Sequence, residues 1–498
     1  MRNNRQKESI KKNYIYNLIY QILVVIVPLI TTPYLSRVLG AENIGIYSYT
    51  LSITTYFILF GTLGVSLYGQ REIAYIQDKK EERSKVFWEI LIMRFFTLGI
   101  SMILFYCIFC SHGEYSLYYK ILLMEMIAYS IDISWFFQGL EEFKKTITRN
   151  LIVKIISVIL IFISVKESND LIKYFLIYVM STLIGNASLW IYVPQYVRTI
   201  PVKKLRPFKH LKPTIGLFIP QIAIQVYTVL DKTMIGMMVN DKSEVGFYEQ
   251  SQKIIKLLLT IATSLGVVMI PRMANTFANG EKEKINYYMK KSFQFVLIMA
   301  FPLMFGIISI SNKFVPIFYG NGYDKVITLI IIISPILLAI GLSNTIGQQY
   351  LLPTKRQKEF TISVTVGAVV NFVFNLILIR YGKSVGAAIA TVIAEWTVTI
   401  IQMYFIKNEI NVVEIIKIAK NYFIASSAMF IVSIFLGLFI KDNIISIIVQ
   451  VLCSCIMYFI VLFLLKDELL SECVRMINKL LRGVTNEQNC KEVREKSK

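Results

Sequence analysis

The sequence is short of charged residues and has no disulfide framework. Charged residues make up 17% of the 498 positions, whereas a soluble domain carries about 25%. Cys107 and Cys110 form a C-x-x-C pair and Cys453 and Cys455 lie two apart, but both pairs lie in apolar stretches. A redox or zinc motif would need a different setting. We therefore expect these cysteines to pack as small apolar side chains.

Motifs for ATP use, metal-dependent hydrolysis and acyl transfer are also missing. The segment from Gly382 to Ser384 resembles the end of a phosphate-binding loop, but Ile377 stands where the first glycine of that loop belongs. Neither an H-E-x-x-H nor a G-x-S-x-G pattern occurs, and the only two histidines, His112 and His210, lie in predicted loops. The sequence therefore predicts neither an enzyme nor a protein with a bound metal or cofactor.

The positive charge of the chain has a membrane explanation. The net charge is +21, from 53 lysines and arginines against 32 aspartates and glutamates. A nucleic-acid-binding domain would gather such charge in one basic region with interleaved aromatic residues, but here the basic residues lie between long apolar blocks. We expect no nucleic-acid partner, because cytoplasmic loops of membrane proteins carry such a surplus.

Apolar blocks recur along most of the chain, at about the 20-residue length that crosses a bilayer core. We predict an all-α polytopic membrane protein with about 14 transmembrane helices. The predicted spans are 13–35, 46–69, 87–110, 116–138, 150–165, 173–194, 214–238, 253–271, 292–311, 326–349, 360–379, 384–405, 419–440 and 443–465. On one side of the predicted membrane lie 38 of the 53 lysines and arginines, and nine lie on the other. This asymmetry predicts that both termini are cytoplasmic.

Two parts of the chain about 201 residues apart resemble each other. Gly-Ile-Tyr at 45–47 follows the first span, and Gly-Phe-Tyr at 246–248 follows the seventh. Leu-Gly-Val at 63–65 recurs at 265–267. The period is one unit of six spans, so both copies would have the same orientation. Parallel repeats of this kind occur in transporters.

The predicted domains follow this repeat. They are an N-terminal six-helix half at 1–194, a cytoplasmic linker at 195–213, a C-terminal six-helix half at 214–405, two additional transmembrane helices at 406–465 and a basic cytoplasmic tail at 466–498. We expect the tail to form an amphipathic helix on the inner membrane surface, because its apolar residues recur at helical spacing.

Several charged and polar residues fall at membrane depth, where they usually face the bundle interior or a wet cavity. Arginine and lysine there would suit an anionic ligand such as phosphate. The candidates for substrate binding are Arg94, Lys154, Lys232, Lys256, Gln221 and Gln225. Carboxylates in the same cavity would bind a proton or a sodium ion, and the candidates for ion coupling are Asp132, Glu125, Asp231 and Glu395.

Two plainer interpretations of these residues stay open. Buried ion pairs can fix the packing of helices without binding any ligand. Polar side chains such as Asn371 and Asn375 can hold neighbouring helices together by hydrogen bonds.

Four ordered stretches carry a recognisable pattern: PYLSRVLG at 33–40, LDKTMIG at 230–236, GQQYLLPT at 347–354, and Asn371 to Glu395 with Gly-Ala-Ala at 386–388. Together they resemble the bacterial polysaccharide-transport family over roughly residues 10–465. Its members are described as lipid-linked oligosaccharide repeat-unit (O-antigen or capsule) flippases. They belong to the multidrug/oligosaccharidyl-lipid/polysaccharide exporter superfamily.

The resemblance implies a function and partners. Such a protein would move an undecaprenyl-pyrophosphate-linked oligosaccharide from the inner to the outer leaflet of the bacterial cytoplasmic membrane, by alternating access driven by a proton or sodium gradient. Its partners would be that glycan, membrane lipid, a polysaccharide polymerase and a chain-length regulator. The alternative is a multidrug or small-metabolite cation antiporter of the same superfamily, for which a cavity dominated by carboxylates would be expected.

Overall fold

The structure is a computed structural model that describes residues 2–410, 412–440, 443–472 and 474–475. Every regular element in these residues is helical, which confirms the predicted all-α class. The α-helices are α1 (Arg2–Thr62), α2 (Val65–Tyr75), α3 (Lys80–Phe105), α4 (Ser116–Ser130), α5 (Ser134–Gly139), α6 (Phe143–Ser164), α7 (Leu171–Ser188), α8 (Val193–Tyr196), α9 (Leu211–Met238), α10 (Ser243–Ala262), α11 (Gly266–Ala278), α12 (Lys282–Tyr319), α13 (Asp324–Ile333), α14 (Ile336–Ile346), α15 (Gln357–Ile406), α16 (Val412–Phe439) and α17 (Ile444–Leu464). The predicted amphipathic tail helix lies largely outside the described residues.

Ten helical stretches of the described chain are long and apolar enough to cross a membrane, so the protein is a multi-pass membrane protein. Gln357–Ile406 covers two predicted spans, 360–379 and 384–405, and Val25–Tyr75 covers the span 46–69 together with the second half of the span 13–35. Non-helical residues divide these stretches, at Gly40 and at Lys383. The ten do not include α9, α10 and α11, where the seventh and eighth spans were predicted. The count of fourteen, the arrangement in two halves and the side of the termini stay predictions.

Several helices break where one continuous span was predicted. The break between α1 and α2 has Leu63 and Gly64 at positive φ, a conformation that glycine adopts readily. The repeated Leu-Gly-Val motif at 265–267 likewise coincides with the break between α10 and α11. The break between α4 and α5 at 131–133 contains neither glycine nor proline, so contacts from other helices must stabilise it.

The chain divides into two compact units. The first comprises Met1–Gln250, Phe318–Lys325 and Asn371–Ala387, and the second comprises Ser251–Ile317, Val326–Val370 and Ala388–Lys498. The predicted domain boundaries, which follow the repeat, stay predictions.

Two apolar clusters form the core of the first unit. One joins α1, α3, α4 and α7 around Leu39, Leu98, Leu122 and Phe175. The other joins α2, α3 and α5 around Phe87, Trp135 and Phe136. The first cluster holds α4 against α1 and α7, and so fixes the polar residues that α4 carries inwards.

In the second unit, Lys313 of α12 anchors the hairpin of α16 and α17. Its ammonium group donates to the carbonyl oxygens of Gly437 and Ile440, both at 2.7 Å, and to the hydroxyl of Ser446 at 3.1 Å. A cation at the end of a helix satisfies carbonyl groups that have no partner within that helix. The additional pair of helices is therefore tied to α12 at this end.

Candidate functional site

Asp231 forms the centre of a buried hydrogen-bonded cluster in the first unit. Its carboxylate on α9 accepts hydrogen bonds from the side-chain amides of Asn371 and Asn375 on α15, at 3.0 and 2.7 Å. The hydroxyl of Tyr248 on α10 donates to its other oxygen. The sequence predicted Asp231 as an ion-coupling residue, and the structure brings it together with two asparagines that lie about 140 residues away.

The same cluster includes a buried side-chain oxygen without a hydrogen bond. This atom is the side-chain oxygen of Asn375. Carboxylate and amide oxygens are the groups that hard cations prefer, but the amide nitrogen of Asn375 faces Asp231, so the amide oxygen points away from that carboxylate. No group of three or more His, Cys, Asp or Glu within the described ranges is placed to hold a metal ion.

Lys232, next along α9, is paired with an acidic residue that the sequence analysis did not single out. Its ammonium group lies 3.0 Å from the carboxylate of Glu249 on α10, and about a sixth of each side chain is exposed. A phosphate could replace Glu249 as its partner, because lysine binds carboxylate and phosphate alike through charge-assisted hydrogen bonds. The structure therefore places Lys232, which was predicted to bind phosphate, in an ion pair with Glu249.

Arg94 and Asp132 meet at the break between α4 and α5. Arg94 is 1% exposed, and its guanidinium donates to the backbone carbonyl of Asp132 at 2.7 Å, with the carboxylate 3.9 Å away. The backbone N–H and hydroxyl of Ser134 donate to that carboxylate. Arg149 of α6 reaches the same region by donating to the Ser134 hydroxyl at 2.9 Å. These contacts explain how a helix without glycine or proline is interrupted here.

Glu125 of α4 is buried among tyrosines. It is 1% exposed, and one of its carboxylate oxygens has no hydrogen-bond partner. Tyr178 of α7, Tyr47 of α1 and Tyr129 of α4 lie within electrostatic reach of it. The rings of Tyr47 and Tyr178 are 5.6 Å apart. This is an aromatic, hydroxyl-bearing environment for a carboxyl group.

The other predicted site residues are not collected in these clusters. Lys154 on α6 is half-buried, and Gln225 on α9 is exposed. Lys256 on α10 is exposed and Glu395 on α15 is half-buried, both in the second unit. The side chain of Gln221 lies outside the described part of the chain. Their predicted roles in binding and coupling stay predictions.

Residues of the repeated motif meet at one end of the first unit. A Cβ atom added to Gly45 would collide with the backbone of Lys242, and one added to Gly246 would collide with the backbone of Ala41. The ammonium group of Lys242 donates to the carbonyl oxygens of Gly236 and Val239, at 2.6 and 3.0 Å. Only residues without a side chain allow the two segments to approach so closely.

Glu244 closes the same end of the unit. This buried carboxylate lies 2.6 Å from the ammonium group of Lys325. It also accepts hydrogen bonds from the hydroxyl and the backbone N–H of Ser384. Lys383 is 3.9 Å away and about half exposed. Glu244 thus joins three segments that are distant in sequence, and we name this cluster the Glu244 latch.

The linker docks on α2 and α3 through a second buried carboxylate. Glu89 accepts hydrogen bonds from the backbone N–H of Arg206 at 2.8 Å and from the His210 ring at 3.0 Å. Lys209 is 2.6 Å from the same carboxylate. The other ring nitrogen of His210 lies 2.7 Å from the hydroxyl of Tyr68. Burial lowers the pKa of His210, and the hydrogen bond with Glu89 opposes that effect only in part.

Sequence reasoning missed several of these residues. Glu244 and Glu249 fall between the predicted spans 214–238 and 253–271, although Gly246 and Tyr248 near them belong to the repeated motif. Arg149 lies just before the predicted span 150–165. The tyrosines around Glu125 are spread over three helices, so helical spacing within one segment could not reveal them.

Comparison with known proteins agrees with this fold. Residues 10–277, just over half of the chain, match the family described as polysaccharide biosynthesis protein. Residues 217–377 match the family MatE. A relative from Escherichia coli (strain K12) with the name "Putative O-antigen transporter" is 25% identical over 410 residues, covering 81% of this chain and 98% of the relative. "Lipid II flippase MurJ" of Bacillus subtilis (strain 168) is 26% identical over 143 residues, which are 28% of this chain and 26% of that protein.

Two solved structures share the fold. "Lipid II flippase MurJ, inward closed conformation" superposes with a TM-score of 0.72 at 18% identity, covering 91% of this chain and 99% of that one. An inward-facing multidrug resistance MATE family transporter of the MOP superfamily has a TM-score of 0.59 at 14% identity, covering 80% and 99%. These proteins are named as transporters and flippases, which confirms the expectation of a transporter rather than an enzyme. The match over residues 10–277 shows that the chain belongs to the polysaccharide biosynthesis protein family.

Proposed function

We propose that this protein is a flippase that moves an undecaprenyl-pyrophosphate-linked oligosaccharide from the inner to the outer leaflet of the bacterial cytoplasmic membrane, for surface polysaccharide synthesis. Relatives of this chain are named for O-antigen transport and for lipid II flipping. Such a substrate has three chemically different parts: a long apolar chain, a doubly charged linkage and a polar glycan. The protein must offer a place to each of them.

The observation that carries the proposal is an apolar groove in the second unit. It lies between α12 and the additional helices α16 and α17, and has a volume of about 360 Å³. The side chains that line it are largely aliphatic or aromatic, including Ile298, Leu303, Ile307, Met429, Val451 and Phe459. A lipid chain that moves from the bilayer into such a groove stays in apolar surroundings, so its entry avoids the cost of about 0.8 kcal/mol for each methylene group exposed to water. A small hydrophilic or cationic substrate would make no favourable contacts with this apolar groove.

The charged linkage would be held by the basic residues that were predicted at membrane depth. Lys232 is the best placed, because its carboxylate partner Glu249 can be exchanged for a phosphate oxygen. Asp231 lies next to Lys232 on α9, and its partners Asn371 and Asn375 lie on α15. Binding of a proton or a sodium ion at Asp231 would couple the ion gradient to the choice of Lys232 between Glu249 and phosphate. The predicted roles of Arg94, Lys154 and Lys256 belong to the same hypothesis.

Reconstitution would test the proposal directly. The purified chain would be placed in vesicles with a fluorescent undecaprenyl-pyrophosphate-linked oligosaccharide, and the fraction in the outer leaflet would be followed by a membrane-impermeant quencher. We expect movement well above that of protein-free vesicles, and a loss of at least tenfold in Lys232→Gln. Glu249→Gln is the matched control, because it removes the other half of the same ion pair while leaving the cation.

The alternative function, a cation antiporter, predicts the opposite result. A cation antiporter would accumulate a cationic dye in the same vesicles when a proton gradient is imposed, and would leave the labelled lipid in place. Lipid movement no faster than in protein-free vesicles, together with dye accumulation, would overturn the flippase proposal.

A further inference from the structure

A basic groove lies at one end of the first unit, between the start of α3 and the linker. It has a volume of about 660 Å³. Its walls are the segments 79–85 and 198–204, both within the first unit. Five basic and two acidic side chains line it: Lys79, Lys80, Lys85, Arg198 and Lys204, with Glu81 and Glu82. The groove therefore carries a surplus of positive charge, and we name it the linker groove.

Only some of these cations are neutralised within the protein. Lys79 lies 3.2 Å from the carboxylate of Glu82, and Lys80 donates to the carbonyl oxygen of Gln195 at 3.3 Å. Among the described residues, the basic side chains of the groove without a carboxylate at ion-pair distance are Lys85, Arg198 and Lys204. Unpaired cations that line a concave surface attract anions strongly, because the walls of low dielectric constant focus the field.

Hydrogen bonds hold the linker wall of the groove against α3. Arg83 donates to the carbonyl oxygen of Tyr196 at 2.8 Å. The backbone N–H of Arg198 donates to the hydroxyl of Ser84 at 2.9 Å, and the indole N–H of Trp88 donates to the carbonyl oxygen of Arg198 at 3.0 Å. These contacts fix the backbone of Arg198 and leave its guanidinium group for a ligand. A groove whose walls are already in place loses less entropy on binding.

The linker groove lies where a membrane-spanning stretch meets the bilayer surface. Lys80–Cys110 comprises 31 residues, or about 46 Å of helix, whereas the hydrocarbon core of a bilayer is about 30 Å thick. Since charged side chains are costly inside that core, the charged start of this stretch lies at the level of the lipid headgroups. Val202 on the linker wall is 76% exposed, and an apolar side chain beside basic ones suits the same interfacial level.

We propose that the linker groove binds the phosphate headgroup of an anionic phospholipid, such as phosphatidylglycerol, at the membrane surface. The planar guanidinium group of Arg198 would hold two phosphate oxygens, and Lys85 and Lys204 would each add a charge-assisted hydrogen bond. The acyl chains of that lipid stay in the bilayer, which keeps the headgroup concentrated beside the groove. A zwitterionic lipid is disfavoured, because these cations repel its ammonium group.

This site does not depend on the proposed function, since its ligand is a component of the membrane and not the transported lipid. A linker held to lipid headgroups would stay at a constant depth beside α3. Binding of phospholipid to the groove and movement of a lipid-linked glycan are measured by separate experiments.

The experiment measures binding of lipids to the purified full chain in detergent by native mass spectrometry. Phosphatidylglycerol and phosphatidylcholine are titrated in turn, and the dissociation constant of the first bound lipid is determined. The native chain should bind phosphatidylglycerol the more tightly. The triple variant Lys85→Gln, Arg198→Gln and Lys204→Gln should bind it at least roughly tenfold more weakly, because each cation at the headgroup level contributes severalfold.

A second triple variant separates the groove from a general attraction of positive charge. Lys358→Gln, Lys417→Gln and Lys420→Gln remove the same charge from exposed lysines of the second unit. Because exposed charges at a distance are screened, the affinity should change by less than about twofold. Equal losses in the two triple variants would overturn the site.

The sign of the charge provides a further check. Glu81→Gln removes a negative charge from the groove and should strengthen binding of phosphatidylglycerol, whereas weaker binding would contradict the proposal. If the triple variant of the groove does not fold, Lys204→Gln changes one exposed side chain and should weaken binding about fivefold. An unchanged dissociation constant in Lys204→Gln would then overturn the site.

Competition distinguishes a lipid from other phosphate-bearing ligands. Inorganic phosphate and chloride at the same ionic strength should weaken binding of phosphatidylglycerol equally, and displacement by phosphate alone would show a site for free phosphate instead. If the triple variant of the groove stops movement of the lipid-linked glycan in vesicles but binds phosphatidylglycerol as the native chain does, the groove serves the transported lipid and the proposal is wrong. Absence of lipid movement in the native chain would refute the proposed function alone.

Discussion

Replacing Glu244 with glutamine should open the end of the first unit where the repeated motif meets. The substitution keeps the shape of the side chain but removes the charge that holds Lys325 and Ser384. Removal of one partner from a buried ion pair costs about 3–5 kcal/mol. Since about a third of the Lys325 side chain is exposed, water compensates part of that loss, and we expect about 2–3 kcal/mol.

This loss can be measured as local opening. Amide hydrogen exchange in the segment around Lys242 and Gly246 reports the free energy of opening of that region. A loss of about 2–3 kcal/mol corresponds to a rise of roughly 30- to 150-fold in the exchange rates, at one factor of ten for each 1.4 kcal/mol. The exchange of amides in α16 and α17 should not change, because they belong to the second unit.

A matched control separates the latch from a general effect of charge. Lys383→Gln removes a charge that lies 3.9 Å from the same carboxylate but is about half exposed, so it should change exchange by a factor of about two or less. Lys325→Gln removes the other partner of the pair. The double variant Glu244→Gln with Lys325→Gln should lower the free energy of local opening by less than the sum of the losses in these two single variants. A rise below about threefold in Glu244→Gln, or equal rises in Glu244→Gln and Lys383→Gln, would refute the importance of the pair of Glu244 and Lys325.

Three further outcomes follow from the described contacts. Burial lowers the pKa of His210 below its ordinary value of about 6.5. The contribution of His210 to docking of the linker should therefore be complete above about pH 6.5 and be lost as the pH falls through the lowered pKa. Limited proteolysis of the linker should become faster over the same range, and a rate that does not depend on pH would contradict this. Lys313→Met should raise hydrogen exchange between Gly437 and Ser446 by at least tenfold, as three hydrogen bonds to one cation are lost; Lys313→Arg serves as the control that keeps the charge. Gly246→Ala should lower the melting temperature by several degrees, because its Cβ would meet the Ala41 backbone and overpacking costs about 1–3 kcal/mol; an unchanged melting temperature would show that the segments can separate freely.

Hydropathy was sufficient to predict an all-helical membrane protein, because the bilayer imposes a length and a composition on every span. Breaks were predictable only in part. A glycine marks the end of α1, but neither glycine nor proline marks 131–133, where the interruption depends on Arg94 of α3 and on the local hydrogen bonds from Ser134 to Asp132. Lys383 adopts positive φ within α15, although lysine has no preference for that conformation.

The candidate site was likewise predictable from the sequence only in part. Membrane depth alone was enough to select Asp231, Lys232 and Glu125, since a charge in that setting is rare. Their partners could not be derived from the sequence, because a contact such as that between Asp231 and Asn375 depends on the packing of helices far apart in the chain. Periodicity identifies the face of a helix on which a residue lies, and leaves open which helix it will meet.

The contact between Gly45 and Gly246 bears on how a chain of this kind could be built from one gene. Each glycine makes room for the backbone beside the other, and each occupies the same place in its copy of the predicted repeat. In a dimer of two identical six-helix units related by a twofold axis, a single glycine codon would supply the glycine on both sides of this contact. A fused chain specifies the same glycine twice, so a side chain introduced at either copy would be resisted by the backbone of the other.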